Sequence, residues 1–385
     1  MLRIVGPSSP KQEEMTYGKY NVLLCYIKIM LYKRFLKPIL FRFDPELVHN
    51  AFVLYGQSLR WQRPKRWFIS KIYGYHASKN GGKDISKTVD GIRYRIPILL
   101  SAGFDYNGKL TNVLPNLAFG GEEVGSVTAR ACPGNPKPRL RRLPHSQSII
   151  VNKGLRNDGV DRIIQRLKKV KRAAKFVIGV SIARTNDEKS AQSIQAGIDD
   201  YAYSFRRLNE EHIGDYYTIN ISCPNAFGGE TFATPENLSK LLPALKAIPC
   251  SKPIYVKMPI NLSWTEFNEL LKIIDQNGLE GVVIGNLNKN YADLDVREEA
   301  PKDYCGGLSG KPCKALSTEL IKKTREVYGK RFTIIGVGGI MSVEDAQEKF
   351  NAGADLIQLI TGMIYEGPGL MKEIAESLSV NSLKS

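Results

Sequence analysis

The chain has few cysteines for its length, and none of them belongs to a metal-binding pattern. Its 385 residues include six cysteines and four histidines. Because no two cysteines form a Cys-x-x-Cys pair and no histidine spacing completes a ligand set, the sequence excludes the common zinc and iron–sulfur sites, and we expect no metal. Scattered free thiols are typical of a protein in a reducing compartment, so no disulfide framework is expected.

Long apolar runs are also missing. No stretch of about 18 uncharged apolar residues occurs, although a membrane-spanning helix would need one. Residues 1–10 lack an apolar core, so we expect no cleavable signal peptide. The glycine motif that opens a helix after the first strand of a dinucleotide-binding sheet is absent as well, which weakens the case for a doubly wound fold.

Positive charge is concentrated in the first fifth of the chain. The formal net charge is +17, and residues 1–80 hold 14 Lys and Arg against 4 Asp and Glu. The apolar residues between 20 and 41 are interrupted by Lys28, Lys33, Arg34 and Lys37. This pattern is typical of an amphipathic helix at an anionic membrane surface, although a basic helix packed on the protein itself has the same pattern. We expect peripheral membrane contact from a reducing compartment, on the cytoplasmic side if the source is bacterial, and no nucleic-acid binding.

Three regions follow from the sequence pattern. Residues 1–18 are expected to form a disordered tail, and residues 19–70 a helical region with a linker. Within that region we expect two helices over 19–62, because Asp44 can cap a helix in which Pro45 takes the first position. Residues 63–71 are basic, contain a proline and are expected to be the linker. Residues 71–385 form the main domain.

Short apolar segments alternate with amphipathic helices through the main domain. The predicted strands are 96–100, 122–126, 176–182, 217–221, 254–258, 281–284, 333–337 and 356–359. The predicted helices between them are 160–170, 193–208, 236–247, 264–277, 318–328 and 343–352. Eight such units over this length predict an α/β fold of the (β/α)8 type, a TIM barrel, with a doubly wound sheet as the alternative.

Polar and glycine-rich residues follow these strands, where a barrel of this type carries its active site. Residues 220–225 combine two amides, a hydroxyl and the thiol of Cys223 directly after a strand, although asparagine and proline are also common in plain turns. The glycine and threonine loops that follow the last two strands favour a phosphorylated cofactor. Lys257 is the one charged residue of its strand; it either offsets negative charge on a cofactor or extends to solvent from a strand end.

At this point the chain resembles the dihydroorotate dehydrogenases, and within them the membrane-associated, quinone-dependent class. The similarity runs from about residue 32 to the C-terminus. The motifs that carry it lie, in order, at residues 43–46 with His49, 102–105, 133–140, 220–225, 306–310, 336–340 and 367–368. The resemblance implies an FMN-containing barrel, an N-terminal helical pair that forms a quinone tunnel at the membrane, and oxidation of dihydroorotate to orotate in pyrimidine synthesis.

The resemblance also implies roles for individual residues. Cys223 would be the catalytic base. The residues that would hold FMN are Ala102, Gly103, Ser126, Ser181, Asn220, Lys257, Gly310, Gly338, Gly339 and Thr361. The residues that would hold the substrate ring are Asn220, Asn225 and Asn286. Beyond the resemblance, we expect a nearby cation to bind the substrate carboxylate, and the candidates are Lys153, Arg156 and Lys109.

Five positions depart from the pattern of that class. Cys223 stands where the quinone-dependent class has serine, and Tyr106 stands where the family has a lysine beside flavin and substrate. Val151, Ser181 and Leu287 replace two asparagines and a threonine. Because these changes alter the substrate side more than the flavin side, two alternatives stay open: an FMN enzyme acting on a different cyclic amide or enone, and a non-catalytic membrane flavoprotein.

Overall fold

The structure, a computed structural model, describes residues 32–77, 84–171, 173, 175–295, 297–298 and 305–381. The predicted tail at 1–18 and the first part of the predicted helical region therefore lie outside the described residues. The thirteen strands that it defines are β1 (Lys87–Val89), β2 (Ile92–Tyr94), β3 (Ile98–Leu100), β4 (Gly121–Val127), β5 (Leu140–Leu143), β6 (Ser148–Val151), β7 (Val177–Ile182), β8 (Tyr216–Asn220), β9 (Ile254–Met258), β10 (Gly281–Ile284), β11 (Gly307–Gly310), β12 (Thr333–Val337) and β13 (Leu356–Leu359).

Eight of these strands close into a parallel barrel, which confirms the predicted fold class. Around the barrel the order is β3, β4, β7, β8, β9, β10, β12 and β13, with β13 pairing back onto β3. Every residue of β4, β7, β8 and β9 is buried, because the barrel interior covers one face of each strand and helices cover the other. Each of the eight predicted strands overlaps one barrel strand.

Helices flank the barrel and its N-terminal extension. They are α1 (Lys37–Leu40), α2 (Pro45–Ser58), α3 (Arg63–Tyr73), α4 (Val160–Leu167), α5 (Glu188–Ala191), α6 (Ile194–Glu210), α7 (Pro235–Lys246), α8 (Trp264–Gln276), α9 (Lys314–Tyr328), α10 (Val343–Asn351), α11 (Thr361–Glu366) and α12 (Leu370–Asn381). Each of the six predicted helices of the main domain overlaps one of these. Helix α9 begins four residues before the predicted start at 318.

The N-terminal extension contains one helix more than the sequence predicts. Asp44 caps α2 as predicted, its carboxylate accepting the Leu47 N–H at 2.8 Å, and Pro45 lies in the first turn. The expected linker at 63–71 is wrong, because these residues form α3. Its proline lies in the first turn, where the missing N–H would have no helical partner in any case, so proline does not interrupt the helix.

Two small sheets accompany the barrel. The hairpin of β1 and β2 comes directly before the first barrel strand and buries Tyr94 completely. Strands β5, β6 and β11 form an antiparallel sheet with β6 in the centre, paired with β5 on one side and with β11 on the other. This second sheet was not predicted. It lies beside the site because β6 ends at Val151, whose carbonyl accepts a hydrogen bond from the Asn225 side chain.

Strand β4 carries a fully buried carboxyl group, Glu122, whose two oxygens have no hydrogen-bond partner among the described residues. Asp105 lies near it and accepts backbone N–H groups from Asn107, Lys109 and Leu110. Those N–H groups favour the charged form of Asp105, so the proton resides on Glu122. Burial, together with the charge of Asp105, raises the pKa of Glu122 well above its ordinary value of 4.5.

Replacing Glu122 with glutamine is expected to stabilise the protein at alkaline pH. Above pH 4.5 the unfolded chain releases the Glu122 proton and the folded chain retains it, so wild-type stability falls as pH rises towards the folded-state pKa. Glu122→Gln removes this dependence. Thermal melts should show a stabilisation that is larger at pH 8 than at pH 5, whereas the exposed Glu326→Gln control should show none. An equal effect at both pH values would contradict the assignment.

Candidate functional site

A chain of hydrogen bonds connects three predicted cofactor residues across the carboxyl ends of neighbouring strands. The Asn220 amide at the end of β8 donates to the Ser126 hydroxyl of β4 at 2.8 Å, and the Ser126 and Ser181 hydroxyls are 2.7 Å apart. All three residues are buried. Because β4, β7 and β8 are adjacent in the barrel, their ends bring these polar groups together, as the barrel prediction requires.

The hydrogen-bond chain continues from Asn220 to Asn286. The side-chain oxygen Oδ1 of Asn220 accepts the backbone N–H and the hydroxyl of Ser222, both at 3.2 Å. The Asn286 amide, after β10, donates to the Ser222 carbonyl at 2.6 Å and to its hydroxyl at 2.7 Å. Two predicted substrate residues from strands that are not adjacent are thus held in fixed orientation around Ser222, and a fixed pair of amides suits recognition of a planar ring amide.

Cys223 follows this network on the loop after β8. Burial raises the pKa of its thiol to about 11, while the Asn225 backbone N–H and the Lys257 ammonium act in the opposite direction. A small cavity of about 20 Å³ borders Cys223 and Asn220. The thiol is therefore close to the asparagine network, but a catalytic base at this position has to be ionised against the effect of burial.

Lys257 is a buried cation on β9. Its ammonium contacts the Ser101 hydroxyl at 3.5 Å, and none of the described carboxylates lies within ion-pair distance. Burial lowers the pKa of Lys257, and the charges of Glu123 and Cys223 oppose that shift. The surface-lysine alternative is wrong, because the side chain points into the fold. A buried ammonium with so few partners favours an anionic ligand beside it.

Glycine loops line the same end of the barrel, as predicted. Gly338 and Gly339 after β12 have φ of 109° and 70°, and a side chain at either would collide with α9 or the turn before it. Gly310 has φ of 81°, and a Cβ atom added there would lie 2.8 Å from the Thr361 methyl group. The Thr361 hydroxyl donates to the Ser309 hydroxyl at 2.9 Å. Ala102 and Gly103 follow β3, and the Gly103 N–H donates to the Gly125 carbonyl at 2.8 Å. The close backbone approach leaves N–H groups near the strand ends, which suits a phosphate.

Asn225 is tied to the sheet formed by β5, β6 and β11 rather than to the Asn220 network. Its amide donates to the Val151 carbonyl at 2.7 Å, and its own carbonyl accepts from Asn135 at 3.0 Å. Asn135 also donates to the Asn152 side chain at 2.7 Å. Asparagine and backbone groups therefore surround the position at which Val151 replaces the family's asparagine. Leu287 follows Asn286 and packs against Gly307 of β11.

Lys153 is placed differently from the substrate position expected of it. Its ammonium donates to the Glu46 carboxylate of α2 at 2.9 Å, and the same oxygen accepts from Arg156 at 3.0 Å and Arg139 at 3.3 Å. We call these four residues the Glu46 cluster. In this structure, Lys153 therefore binds a carboxylate of the protein. Its role towards substrate stays a prediction. Glu46 belongs to the motif at residues 43–46, but no sequence pattern marked it as the centre of this cluster.

Tyr106 packs beneath the Glu46 cluster. The Lys153 ammonium lies 5.3 Å from the centre of the Tyr106 ring, and the His49 ring of α2 lies 5.3 Å from it on another side. Tyr106 and Arg156 also line a cavity of about 360 Å³ between α2 and the loops after β3 and β4. This larger cavity does not include Cys223 or the Asn220 network, so it borders the predicted site without being its centre.

The part of the chain that the structure describes contains no set of metal ligands. No group of three or more histidine, cysteine, aspartate or glutamate side chains is arranged to hold a metal ion there. Over the same residues, no helix combines the length and apolarity that crossing a membrane requires.

Comparison with known proteins gives a consistent result. The family model described as Dihydroorotate dehydrogenase matches residues 84–381. A curated relative named dihydroorotate dehydrogenase (quinone), from Christiangramia forsetii, is 37% identical over 356 residues, which cover 90% of this chain and 98% of the relative. A second with the same name, from Gloeobacter violaceus, is 35% identical over 91% of this chain and 95% of its own.

Solved structures agree with the sequence relatives. A crystal structure of DHODH from Eimeria tenella in complex with ferulenol has a TM-score of 0.74 and 26% identity, covering 89% of this chain and 92% of its own. The ligand-free DHODH from the same organism has a TM-score of 0.72 at 26% identity, covering 89% of this chain and 96% of its own.

Proposed function

The chain belongs to the dihydroorotate dehydrogenase family, in its quinone-dependent class, and we propose that it oxidises dihydroorotate to orotate with FMN as cofactor and passes the electrons to a quinone. The observation that carries this proposal is the hydrogen-bonded set of Asn220, Ser126 and Asn286 at the carboxyl ends of the strands, beside Cys223. The alternative substrates and the non-catalytic alternative are not favoured by the relatives, which share one name over nine-tenths of the chain.

The residues at the strand ends fit FMN. Gly338, Gly339 and Gly310 let the loops pack closer to neighbouring residues than a Cβ atom would permit. Glycine loops at strand ends suit a phosphate held by backbone N–H groups. Lys257 offers a buried cation without a carboxylate partner among the described residues, which suits the electron-rich end of a reduced flavin. When bound, FMN supplies the acceptor for the hydride that leaves the substrate.

The side chains of the site divide the remaining chemistry between them. Asn220, Asn286 and Asn225 orient the ring through its amide groups, so that two neighbouring C–H bonds face their acceptors. The Cys223 thiolate removes the proton from the carbon next to the ring carbonyl, and the hydride leaves from the adjacent carbon. One proton and one hydride are lost in total, so a ring C–C single bond becomes the double bond of orotate.

The N-terminal helices are suited to the quinone and to a membrane surface. Most of the exposed large apolar side chains of the described chain lie between residues 35 and 68, and they are Phe35, Leu36, Ile39, Phe43, Leu47, Phe52, Leu54, Tyr55, Trp61, Trp67 and Phe68. Lys71 and Arg60 lie 3.8 Å and 4.7 Å from the ring centres of Trp67 and Trp61. Tryptophan beside basic residues is typical of a membrane interface. We propose peripheral attachment through this surface, on the cytoplasmic side if the source is bacterial.

The same helices reach the cofactor loop. The His49 ring nitrogen Nε2 hydrogen-bonds the Phe104 carbonyl at 2.8 Å, and the two rings meet edge to face at 4.8 Å. Phe104 directly follows Ala102 and Gly103, which are predicted to hold FMN. Because this contact joins α2 to the predicted FMN loop, we propose that the quinone binds among α1 to α3. It would receive electrons at the side of the barrel that His49 covers.

Membrane attachment gives a testable expectation. The full chain should bind anionic vesicles and be released by salt, because basic side chains provide part of the attraction. The triple variant Trp61→Ser, Trp67→Ser, Phe68→Ser should lose most of the binding, since it removes apolar groups that insert into the interface. The matched control Tyr203→Ser, Val327→Ser changes exposed apolar residues elsewhere and should bind as wild type does. Equal binding by both variants in vesicle co-sedimentation would contradict the proposed surface.

The activity is tested by assaying orotate formation with the purified chain. Dihydroorotate with a soluble quinone should yield orotate, and the denatured protein should release FMN. Fumarate or NAD in place of the quinone should support little turnover. A protein that retains no FMN, or that forms orotate with fumarate or NAD as fast as with the quinone, would contradict the proposal.

A further inference from the structure

Lys349 of α10 is a fully buried cation that the proposed chemistry leaves unused. Its ammonium donates to the Lys314 carbonyl at 2.9 Å, to the Thr318 hydroxyl at 2.6 Å and to the Ser317 hydroxyl. All three acceptors are neutral and belong to the first turn or so of α9. Among the described residues, no carboxylate lies within ion-pair distance of this ammonium. A buried charge of this kind is unfavourable unless an anion lies near it.

The acidic groups closest to Lys349 are already engaged. Asp345 and Glu348, on the same helix, both pair with Lys314, at 2.6 Å and 2.7 Å. Cys313, which precedes α9, is buried with its pKa raised to about 12 and is therefore a neutral thiol. Burial lowers the pKa of Lys349 itself to about 7. Asp345 and Glu348 attract Lys349 at longer range, but among the described residues no carboxylate contacts its ammonium directly.

The glycine loop after β12 lies against the same turn of α9. A Cβ atom on Gly338 would stand 3.0 Å from the Ser317 hydroxyl oxygen and 3.0 Å from Cys313 Cβ. A Cβ atom on Gly339 would collide with Lys314. The loop therefore rests directly on residues that accept the Lys349 hydrogen bonds. An anion bound by the loop would attract the Lys349 ammonium across that turn.

We propose that Lys349 is a positioning residue for the FMN phosphate, whose dianion its buried charge attracts through the glycine loop and the first turn of α9. The inference rests on the proposed function, since it requires FMN at the strand ends. The Lys349 charge should therefore strengthen the binding of FMN but not of riboflavin, which lacks the phosphate. It also explains why a lysine occupies a fully buried position with only neutral acceptors.

The test is a flavin-exchange measurement on the purified holoenzyme. Graded riboflavin is equilibrated with the protein, and the ratio of bound FMN to bound riboflavin is measured after desalting. Lys349→Gln retains a hydrogen-bond donor but removes the charge, and it should lower the preference for FMN about tenfold. Lys322→Gln, which removes an exposed lysine of α9, should leave the preference unchanged. An unchanged preference in Lys349→Gln would reduce Lys349 to a structural role and overturn the proposal.

Wild-type protein gives a second readout that does not depend on the variant folding. The phosphate of FMN is fully ionised above pH 7, since its second pKa is about 6. The Lys349 ammonium donates to the Lys314 carbonyl, and the charged or titratable groups around it are Lys314, Asp345, Glu348 and Cys313. Because the pKa of Lys349 is about 7, flavin-free protein loses this proton above that pH. The preference for FMN over riboflavin should fall several-fold between pH 7 and pH 9. A constant preference over that range would overturn the proposal. Wild-type protein that binds neither flavin would instead contradict the proposed function.

Discussion

Replacing Cys223 with alanine is expected to slow flavin reduction by dihydroorotate at least about a hundredfold while FMN stays bound. The reason is that the Cys223 side chain contributes a proton acceptor and is not among the groups that hold the cofactor, whereas Asn220, Ser126 and Lys257 are retained. Single-turnover flavin reduction under anaerobic conditions measures the effect. Cys305→Ala, at an exposed thiol, is the matched control and should reduce at the wild-type rate. Equal rates in Cys223→Ala and wild type would assign the base elsewhere.

The pH dependence of the same reaction follows from the burial of the thiol. Because burial raises the Cys223 pKa to about 11, the reactive thiolate is a minor species at neutral pH. The wild-type rate should therefore rise with pH, about tenfold per unit below the pKa. Cys223→Ser should be intermediate between wild type and Cys223→Ala, with its optimum shifted upward, because a hydroxyl is a weaker acid than a thiol. A wild-type rate that does not change between pH 7 and pH 9 would contradict thiolate chemistry.

Replacing Lys153 with methionine is expected to raise the KM for dihydroorotate about tenfold or more, with a smaller effect on kcat. The Lys153 ammonium lies 5.3 Å from the ring of Tyr106, the residue that occupies the family's lysine position, so we expect it to substitute for that lysine. The Glu46 cluster combines one carboxylate with three cations, so it retains positive charge for a second anion. A charged hydrogen bond contributes roughly 1.5–3 kcal/mol, which corresponds to tenfold or more in affinity.

Glu46→Gln separates this role from general damage to the fold. It removes the carboxylate that competes with the substrate for Lys153, Arg156 and Arg139, so the KM for dihydroorotate should fall rather than rise. Lys372→Met, which removes a half-buried lysine of α12 far from the site, should leave the KM unchanged. A KM that does not change in Lys153→Met, or changes of the same sign in Lys153→Met and Glu46→Gln, would show that the substrate carboxylate binds elsewhere.

The barrel could be predicted from the sequence because its determinants are local. Each strand is a short buried apolar segment, and each helix between strands has its own apolar face, so both periodicities appear directly in the sequence. The Asp44 cap and Pro45 were predicted for the same reason. Helix α3 was mistaken for a linker because basic residues and a proline are common in linkers, and the helix depends on packing against the barrel through contacts such as Arg66 to the Asn112 carbonyl at 3.3 Å.

The parts of the site that the sequence missed depend on pairing between distant residues. Strand β11 is glycine-rich and forms a strand because β6, about 160 residues earlier, supplies its partner. Glu46 looks like an ordinary helix residue in the sequence, because its partners Arg139, Lys153 and Arg156 lie far from it along the chain. Lys349 similarly acquires its partners only from α9. Most residues predicted for cofactor and substrate lie near the carboxyl ends of the barrel strands, whereas Lys153 binds Glu46 and Asn225 is tied to the small sheet. Their individual roles stay predictions.

Anaerobic mixing of the purified protein with dihydroorotate tests the central claim most directly. The visible absorption band of the bound flavin should bleach in a single turnover, orotate should form in equal amount, and adding a quinone should restore the oxidised spectrum. A flavin that stays oxidised at millimolar dihydroorotate would contradict the assignment of substrate and would leave only a flavin-binding barrel.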